Sequence, residues 1–354
     1  MTSTRHDPGP DQLKGILMVL VIFGHTFWQG VGDSWTKWMI YGFHMPMFLF
    51  LSGYMISMVR FGTRPWGDLL RHYWKRMIAA WLVVSVLWLA LHEPDAFASP
   101  QAFLEVLLLR PAFHLWYVPM LFLSVLLLRL LGRPLNASPP ARAALGVAAV
   151  AGALLFQTPL KELVPQVVLD NVDARYAGYF VWILLGVAVR NGWFPRLSLW
   201  WIAPVVAVGL VARSWVYTSD AAGPWWSVVA FTVLSLGASL CLPALRDALR
   251  TPLPIVGEGL RTIGHHSLYV YLLHPFVTDA LHTPEVGWVR SMVLGAAVTV
   301  AILVASCIVA GVLEPVGARR RQGRDHTVAA PDGAVTAPDD AVTAPEAAPR
   351  AAGR

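Results

Sequence analysis

The chain has 354 residues, of which 56% are apolar and only 14% are charged. A typical soluble domain is about a quarter charged, so this composition excludes a soluble enzyme and predicts an integral membrane protein. The formal net charge is +6. It does not indicate a nucleic-acid partner, because the Lys and Arg residues form short clusters between apolar runs rather than one basic face.

The apolar runs predict an all-α, polytopic fold with ten transmembrane helices. Most runs approach the roughly 17–25 residues that cross a bilayer, although the fifth and sixth are short. The ten spans are expected at 12–30, 36–58, 77–92, 114–131, 141–156, 175–190, 198–213, 224–242, 262–282 and 286–312.

This prediction divides the chain into three parts. Residues 1–11 form a cytoplasmic N-terminus, residues 12–314 form the ten-helix domain, and residues 315–354 form a tail. The tail is first basic and then rich in Ala and Pro, a composition that predicts a disordered cytoplasmic segment. With the N-terminus inside, the inner segments hold 19 Lys and Arg residues and the outer segments hold six. Positive loops stay in the cytoplasm, so both chain ends are predicted to lie there.

Histidines inside the spans are the main functional signal. Ionisable groups at membrane depth cost at least ~2.5 kcal/mol and often mark function. His25, His44, His114 and His274 fall in spans 1, 2, 4 and 9, all between the mid-plane and the outer side. Lys14 precedes His25 by eleven residues, which is about 16 Å and close to three helical turns. We therefore expect Lys14 and His25 to share one face of span 1.

Two of these histidines adjoin a proline that interrupts a predicted span. Pro46 follows His44 by two residues, and Pro275 follows His274 directly. A proline inside a helix removes one backbone hydrogen bond and kinks the helix. Pro46 would thereby leave the carbonyl of Gly42 without its helical partner. In lipid such a group needs protein or water to satisfy it, so both kinks predict a polar cavity at the depth of the histidines.

Two interpretations of these residues stay open. Imidazole is the usual general base near neutral pH, but a histidine in a membrane helix can also be a packing residue bonded to its neighbour. The basic cluster of Arg71, Lys75 and Arg76 is either an anchor at the inner surface or a phosphate site. Because metal-ligand pairs and nucleotide-binding loops are absent from the sequence, no metal and no bound cofactor is expected.

Five segments resemble the membrane acyltransferase family 3, and they occur in the order typical of that family. The most specific is Phe43–Tyr54, with the sequence FHMPMFLFLSGY. The others are Asp11–Gly15 with Val21–His25, then Lys75-Arg76, His114–Pro119 and Ser267–Pro275. The resemblance extends over residues 11–312, nearly the whole predicted membrane domain.

The resemblance implies an enzyme that O-acylates, mostly O-acetylates, sugars of bacterial surface glycans, glycolipids and some secreted metabolites. The implied location is the cytoplasmic membrane of a bacterium. His25 would be the essential histidine, and Lys14 would stand where many members carry an Arg. A Lys cannot hold a phosphate bidentately as an Arg does, so this departure bears on the donor site.

Together these observations predict an acyl-CoA:hydroxyl acyltransferase. Acyl-CoA, with acetyl-CoA as the first choice, is the expected donor, and the acceptor is a glycan or glycolipid at the outer side of the lipid bilayer. His25 would be the general base, assisted by groups that stabilise the tetrahedral oxyanion. The predicted catalytic residues are His25, His44, His274, Tyr54 and Tyr271, and the predicted donor-binding residues are Lys14, Arg71, Lys75 and Arg76.

A different class of function fits the same residues. A transporter or flippase of a lipid-linked glycan or small metabolite would use buried histidines as a proton relay. The predicted membrane domain has no obvious internal repeat and few carboxylates in its spans, which favours the enzyme. A glycan-binding scaffold without turnover is the third alternative.

Overall fold

A computed structural model describes residues 7–26, 31–111, 115–219, 221–251, 253–280 and 288–313. These residues form helices joined by short turns, and no strand occurs among them. The predicted all-α class is therefore confirmed for this part of the chain. His114 and the tail predicted at 315–354 lie outside the described residues.

The α-helices follow one another as α1 (Gly9–His25), α2 (Trp35–Tyr41), α3 (His44–Tyr54), α4 (Met58–Thr63), α5 (Trp66–Tyr73), α6 (Ala79–His92), α7 (Pro100–Leu104), α8 (Tyr117–Leu130), α9 (Gly132–Ala137), α10 (Pro139–Gln157), α11 (Gln166–Asn171), α12 (Ala174–Gly178), α13 (Phe180–Arg190), α14 (Leu199–Thr218), α15 (Pro224–Ala248), α16 (Gly257–His265), α17 (Ser267–Ala280) and α18 (Trp288–Leu313). A π-helical stretch, Trp74–Ile78, joins α5 to α6.

Four of the described helices are long and apolar enough to cross a membrane, namely Trp66–His92, Pro139–Gln157, Leu199–Thr218 and Pro224–Ala248. The helix α10 is apolar, yet Ala149 is its only buried residue. Large apolar side chains on α14 are likewise exposed, Trp200 by 89%. Apolar surface of this extent is stable in lipid rather than in water, so the fold is that of a membrane protein. The full set of ten spans and the side of each chain end stay predictions.

Three predicted spans are divided in the structure. Span 2 becomes α2 and α3, span 6 becomes α12 and α13, and span 9 becomes α16 and α17. The disturbance expected from Pro46 is a full break rather than a kink within one helix, since the break lies at Gly42 and Phe43 and α3 begins at His44. Pro46 therefore occupies the first turn of α3, where backbone N–H groups have no intrahelical acceptor and proline is well tolerated.

Glycines let the main chains of α3 and α13 touch. A Cβ atom at Gly53 would overlap the carbonyl oxygen of Ile183, and one at Gly186 would overlap that of Phe50. Small residues allow this close approach, which raises van der Waals contact between helices that gain little from the hydrophobic effect in lipid. The helix that begins with His44 is thereby fixed against α13.

Close packing at glycines also fixes α1 against α16. A Cβ at Gly15 would overlap the carbonyl oxygen of Leu260, and one at Gly264 would overlap that of Asp11. Because α17 follows α16 after a single residue, this contact also sets the position of α17 beside α1.

Polar bonds hold the N-terminal end of α1. The buried Gln12 amide donates to the carbonyl of Leu249 at 2.8 Å and accepts from the N–H of Leu253 at 3.0 Å. Asp7 pairs with Arg246 and accepts from the N–H of Gly9 at 3.0 Å. Burial raises the pKa of Asp7, but the Gly9 and Arg246 bonds lower it by more, so this pKa lies below its usual value. The carboxylate is thus ionised and paired near neutral pH.

We predict that Gly53→Ala destabilises the protein, because the added methyl group would overlap the main chain of α13. Overpacking of this kind costs about 1–3 kcal/mol, which appears as a lower midpoint of thermal unfolding, followed by tryptophan fluorescence of the purified protein in detergent. The matched control is Gly146→Ala in α10, where a Cβ meets open space and alanine favours the helix. Equal midpoints for both variants would contradict the packing argument.

Candidate functional site

His25 is the last residue of α1 and is half-buried against α2. The Tyr41 hydroxyl lies 3.0 Å from Nδ1 and 3.3 Å from Nε2 of His25. It therefore faces the edge of the imidazole ring that has both nitrogens. Tyr41 ends α2, so a helix terminus supplies each partner of this contact. A hydroxyl at this distance can orient the ring and exchange a proton with it.

His274 also lies beside His25. The two ring centroids are 5.3 Å apart, and the ring planes are inclined by 49°. His274 is fully buried in α17, which packs against α1. Two histidines 249 positions apart in the sequence thus lie side by side.

His44 joins the site through Tyr41, and the two rings lie with their centroids 4.8 Å apart. The Nδ1 atom of His44 is 2.8 Å from the carbonyl oxygen of Ile40, and that of His274 is 3.2 Å from the carbonyl oxygen of Val270. A carbonyl can only accept, so in both rings Nδ1 bears the hydrogen. In the neutral imidazole Nε2 is then the basic nitrogen.

Tyrosines extend the site away from His25. The ring of Tyr271 is 6.0 Å from that of His274, and the ring of Tyr117 is 5.2 Å from that of Tyr271. The Tyr117 hydroxyl lies 2.8 Å from the Ser52 hydroxyl. We call the six residues His25, Tyr41, His44, Tyr117, Tyr271 and His274 the His/Tyr cluster. It joins α1, α2, α3, α8 and α17.

The break between α2 and α3 is stabilised from α15. The carbonyl oxygen of Gly42, which Pro46 cannot serve, accepts a hydrogen bond of 2.7 Å from the buried Ser235 hydroxyl. A side chain therefore supplies the donor that the proline lacks, as the low-dielectric interior requires. The bond fixes the break beside Tyr41 and His44.

Tyr54 does not lie in the His/Tyr cluster. It ends α3, ten residues after His44, and so about 15 Å along the helix. Its buried hydroxyl accepts a hydrogen bond of 3.1 Å from Arg196, and the guanidinium of Arg190 lies 5.8 Å from its ring centroid. Tyr54 thus contacts a group of arginines at the opposite end of α3 from His44.

The predicted donor-binding residues lie on two separate elements. Lys14 is on α1 and pairs with Asp11 at 3.2 Å. Arg71, Lys75 and Arg76 are exposed on the continuous helix Trp66–His92. Lys75 and Arg76 fall within its π-helical stretch, a feature frequent at functional sites. The structure thus places three exposed positive charges on this helix, and their role in donor binding stays a prediction.

Sequence reasoning missed three residues near this site. The sequence gives no role to Tyr41, it includes Tyr117 only as part of the segment His114–Pro119, and it counts Arg213 among the six positive charges of the outer segments. The signal for Tyr41 was its position three residues before His44, which brings side chains onto one helix face. Only the packing of helices distant in the chain reveals that Tyr117 and Arg213 lie near the site. Among the described residues, no three His, Cys, Asp or Glu side chains are grouped as metal ligands.

Comparison with known proteins gives one match. A family model, described as an acyltransferase domain of the family Acyl_transf_3, matches residues 7–314. This range includes every residue of the His/Tyr cluster. No curated protein and no solved structure matches the chain.

Proposed function

Because the chain belongs to the membrane acyltransferase family 3, we propose that it moves an acyl group from acyl-CoA to a hydroxyl of a cell-surface glycan or glycolipid. We propose acetyl as the group and the bacterial cytoplasmic membrane as the location. The contact of His25 with Tyr41 and His274 is the observation that supports this most directly. His25, the candidate base, ends α1 beside a hydroxyl and a second imidazole, which are groups that can exchange protons.

His25 would act as general base. Its unprotonated nitrogen takes the proton of the acceptor hydroxyl as the oxygen attacks the carbonyl carbon of the thioester. The tetrahedral intermediate then collapses, the carbon–sulfur bond breaks, and the imidazolium returns its proton to the departing thiolate. General acid–base catalysis of this kind contributes roughly a hundredfold to ten-thousandfold. His274, with its ring beside that of His25, would stabilise the imidazolium while it exists.

The hydrogen-bonding pattern refines the roles of the other cluster residues. Because the Nδ1–H of His44 is committed to the Ile40 carbonyl, neutral His44 has no second N–H for an oxyanion. His44 is then a positioning residue that holds Tyr41. A neutral tyrosine hydroxyl is a donor, so Tyr271 is a candidate oxyanion donor. Tyr41 could donate to the oxyanion while its oxygen accepts from an N–H of His25, because its own hydrogen is then free.

The phosphates of the donor would bind at the side that the charge count assigns to the cytoplasm. Lys14, Arg71, Lys75 and Arg76 are the proposed contacts, and the arginines around Tyr54 add positive charge at the inner end of α3. The pantetheine arm would then lead the thioester along α1, on which Lys14 and His25 are about 16 Å apart. We therefore assign Tyr54 to the donor end rather than to the reacting centre.

We predict that His25→Ala abolishes acyl transfer while the protein still folds. Cells of the native host carrying wild type, His25→Ala or a deletion are compared by mass spectrometry of surface glycans, lipids and secreted metabolites. One molecule should lose the same acyl group in the deletion and in His25→Ala. The control is His265→Ala, an exposed histidine at the end of α16, which should retain the group.

Two results would contradict the proposal. Normal acylation by His25→Ala would exclude this residue as the base. Accumulation of a lipid-linked precursor, with no acyl group lost from any molecule, would instead indicate a flippase. Immunoblots of the membrane fraction must show equal amounts of each variant.

We predict that Tyr41→Phe lowers kcat roughly tenfold to a hundredfold, because the ring of His25 loses the hydroxyl that orients it. The KM for acetyl-CoA should change little, since Tyr41 lies away from the proposed phosphate contacts. The assay follows free CoA released when purified protein is added to membranes of the deletion strain, which hold the unacylated acceptor. Tyr269→Phe in α17 is the control, and an equal loss there would refute the specific role of Tyr41.

We predict that the double variant Lys75→Gln/Arg76→Gln raises the KM for acetyl-CoA about tenfold and leaves kcat nearly unchanged. Contacts to phosphates far from the thioester are equally strong in the ground state and the transition state. The control, Arg110→Gln/Lys161→Gln, removes two exposed charges at the predicted outer side. A similar rise in KM for both pairs would show that only the overall charge matters.

A further inference from the structure

Arg213 is a cation buried inside the protein on a helix whose other surface is largely apolar and exposed. The buried residues of α14 are Ile202, Gly209 and Arg213, which form one stripe along the helix. Arg213 is 5% exposed. An ionisable residue that turns inward from a membrane helix is a functional candidate by default.

The contacts of Arg213 leave its charge unmatched. The guanidinium lies 3.4 Å from the ring centroid of Trp38, and Nη2 donates to the Trp38 carbonyl at 3.2 Å. In return, the Trp38 indole donates to the Arg213 carbonyl at 3.0 Å. The buried Nε has no hydrogen-bond partner within the described ranges, and none of the carboxylates described there pairs with Arg213. These bonds tie α14 to α2, but a neutral donor would serve that purpose equally well.

The guanidinium adjoins the His/Tyr cluster. A Cβ at Gly42 would lie 3.0 Å from the Nε of Arg213, so the glycine keeps the space beside that nitrogen clear. Gly42 is the residue next to Tyr41, whose hydroxyl contacts His25. Lys37 is a second cation nearby. It lies on α2, the helix of Tyr41, and its Nζ is 5.8 Å from the ring centroid of Tyr41. Lys37 therefore lies over the ring of the tyrosine that contacts the candidate base, and Arg213 lies beside the next residue, Gly42.

We propose that Arg213, assisted by Lys37, binds an acidic group of the acceptor, so that the preferred acceptor is an anionic sugar bearing a carboxylate or a phosphate. This inference rests on the acyltransferase function proposed above. A guanidinium presents a planar fork of donors that fits either oxyanion. In a site of low dielectric the bound anion supplies the counter-charge that Arg213 lacks among the described residues. Anchoring the acid there holds a neighbouring hydroxyl near His25.

Binding of matched sugars to the purified full-length protein tests this inference without any need for turnover. The probes are methyl β-D-glucuronoside, the 6-phosphate of methyl β-D-glucoside, and neutral methyl β-D-glucoside. Each is titrated against wild type, Arg213→Gln and Arg213→Lys in an uncharged detergent, and the dissociation constant is taken from the rise in unfolding midpoint, because a ligand that binds the folded state stabilises it.

Wild type should bind at least one acidic probe about tenfold more tightly than the neutral sugar, in line with the strength of charged hydrogen bonds. Arg213→Gln should lose this preference while its affinity for the neutral sugar is unchanged. The acidic probe that raises the unfolding midpoint more shows whether the preferred acidic group of the acceptor is a carboxylate or a phosphate. The inference is overturned if wild type has no preference for an acid, or if Arg213→Gln keeps it.

Arg213→Lys decides the matter if Arg213→Gln does not fold, because it keeps the charge and removes the fork of donors. Affinity for the acidic probe should then fall severalfold, and unchanged affinity overturns the inference. These results are independent of acyl transfer. Acylation that depends on His25, without any preference for acidic probes, would refute the role of Arg213 alone. Binding of the acid by a protein that transfers no acyl group would refute the proposed reaction.

Discussion

The backbone contact of α1 with α16 is the constraint on which the candidate site depends. Gly15 and Gly264 bring these helices together without intervening side chains, and the bonds of Gln12 fix the axial position of α1. Since α17 directly follows α16, His274 reaches the end of α1 and lies beside His25. In a lipid environment the hydrophobic effect adds little to this association, so close packing and hydrogen bonds must supply it.

The interruption between α2 and α3 makes the second half of the site possible. A continuous helix would align Tyr41 and His44 along one axis. The break instead places Tyr41 at a helix end, where its hydroxyl reaches His25, and lets His44 begin the next helix. The carbonyl of Gly42, which has no helical partner at the break, accepts a hydrogen bond from Ser235, so the break is compatible with a low-dielectric surrounding. It also brings Gly42 close to the Nε of Arg213.

The chemical character of the polar residues changes along the long axis of α1. Basic residues surround its beginning, whereas the imidazole and phenol groups lie at its end. A reaction that joins a charged donor from one compartment with an acceptor from the other requires such separation. It keeps the phosphates of the proposed donor in a hydrated, positive region and the reacting thioester among groups that transfer protons. An inward-facing Arg213 fits this scheme as a contact for the acceptor rather than for the donor.

The sequence by itself determined the membrane class, the all-α fold and the family, and it singled out His25, His44 and His274 as candidate site residues. Apolar run lengths and the motif FHMPMFLFLSGY are local properties, which can be recognised without knowing what packs against them. Only the tertiary structure decided that Tyr41 and Tyr117 join these histidines, that Tyr54 lies with arginines, and that Arg213 is buried. Each of these depends on the approach of helices distant in the chain. The break before His44 was missed for a related reason, because a proline marks a disturbed helix but the surrounding helices decide where the chain turns.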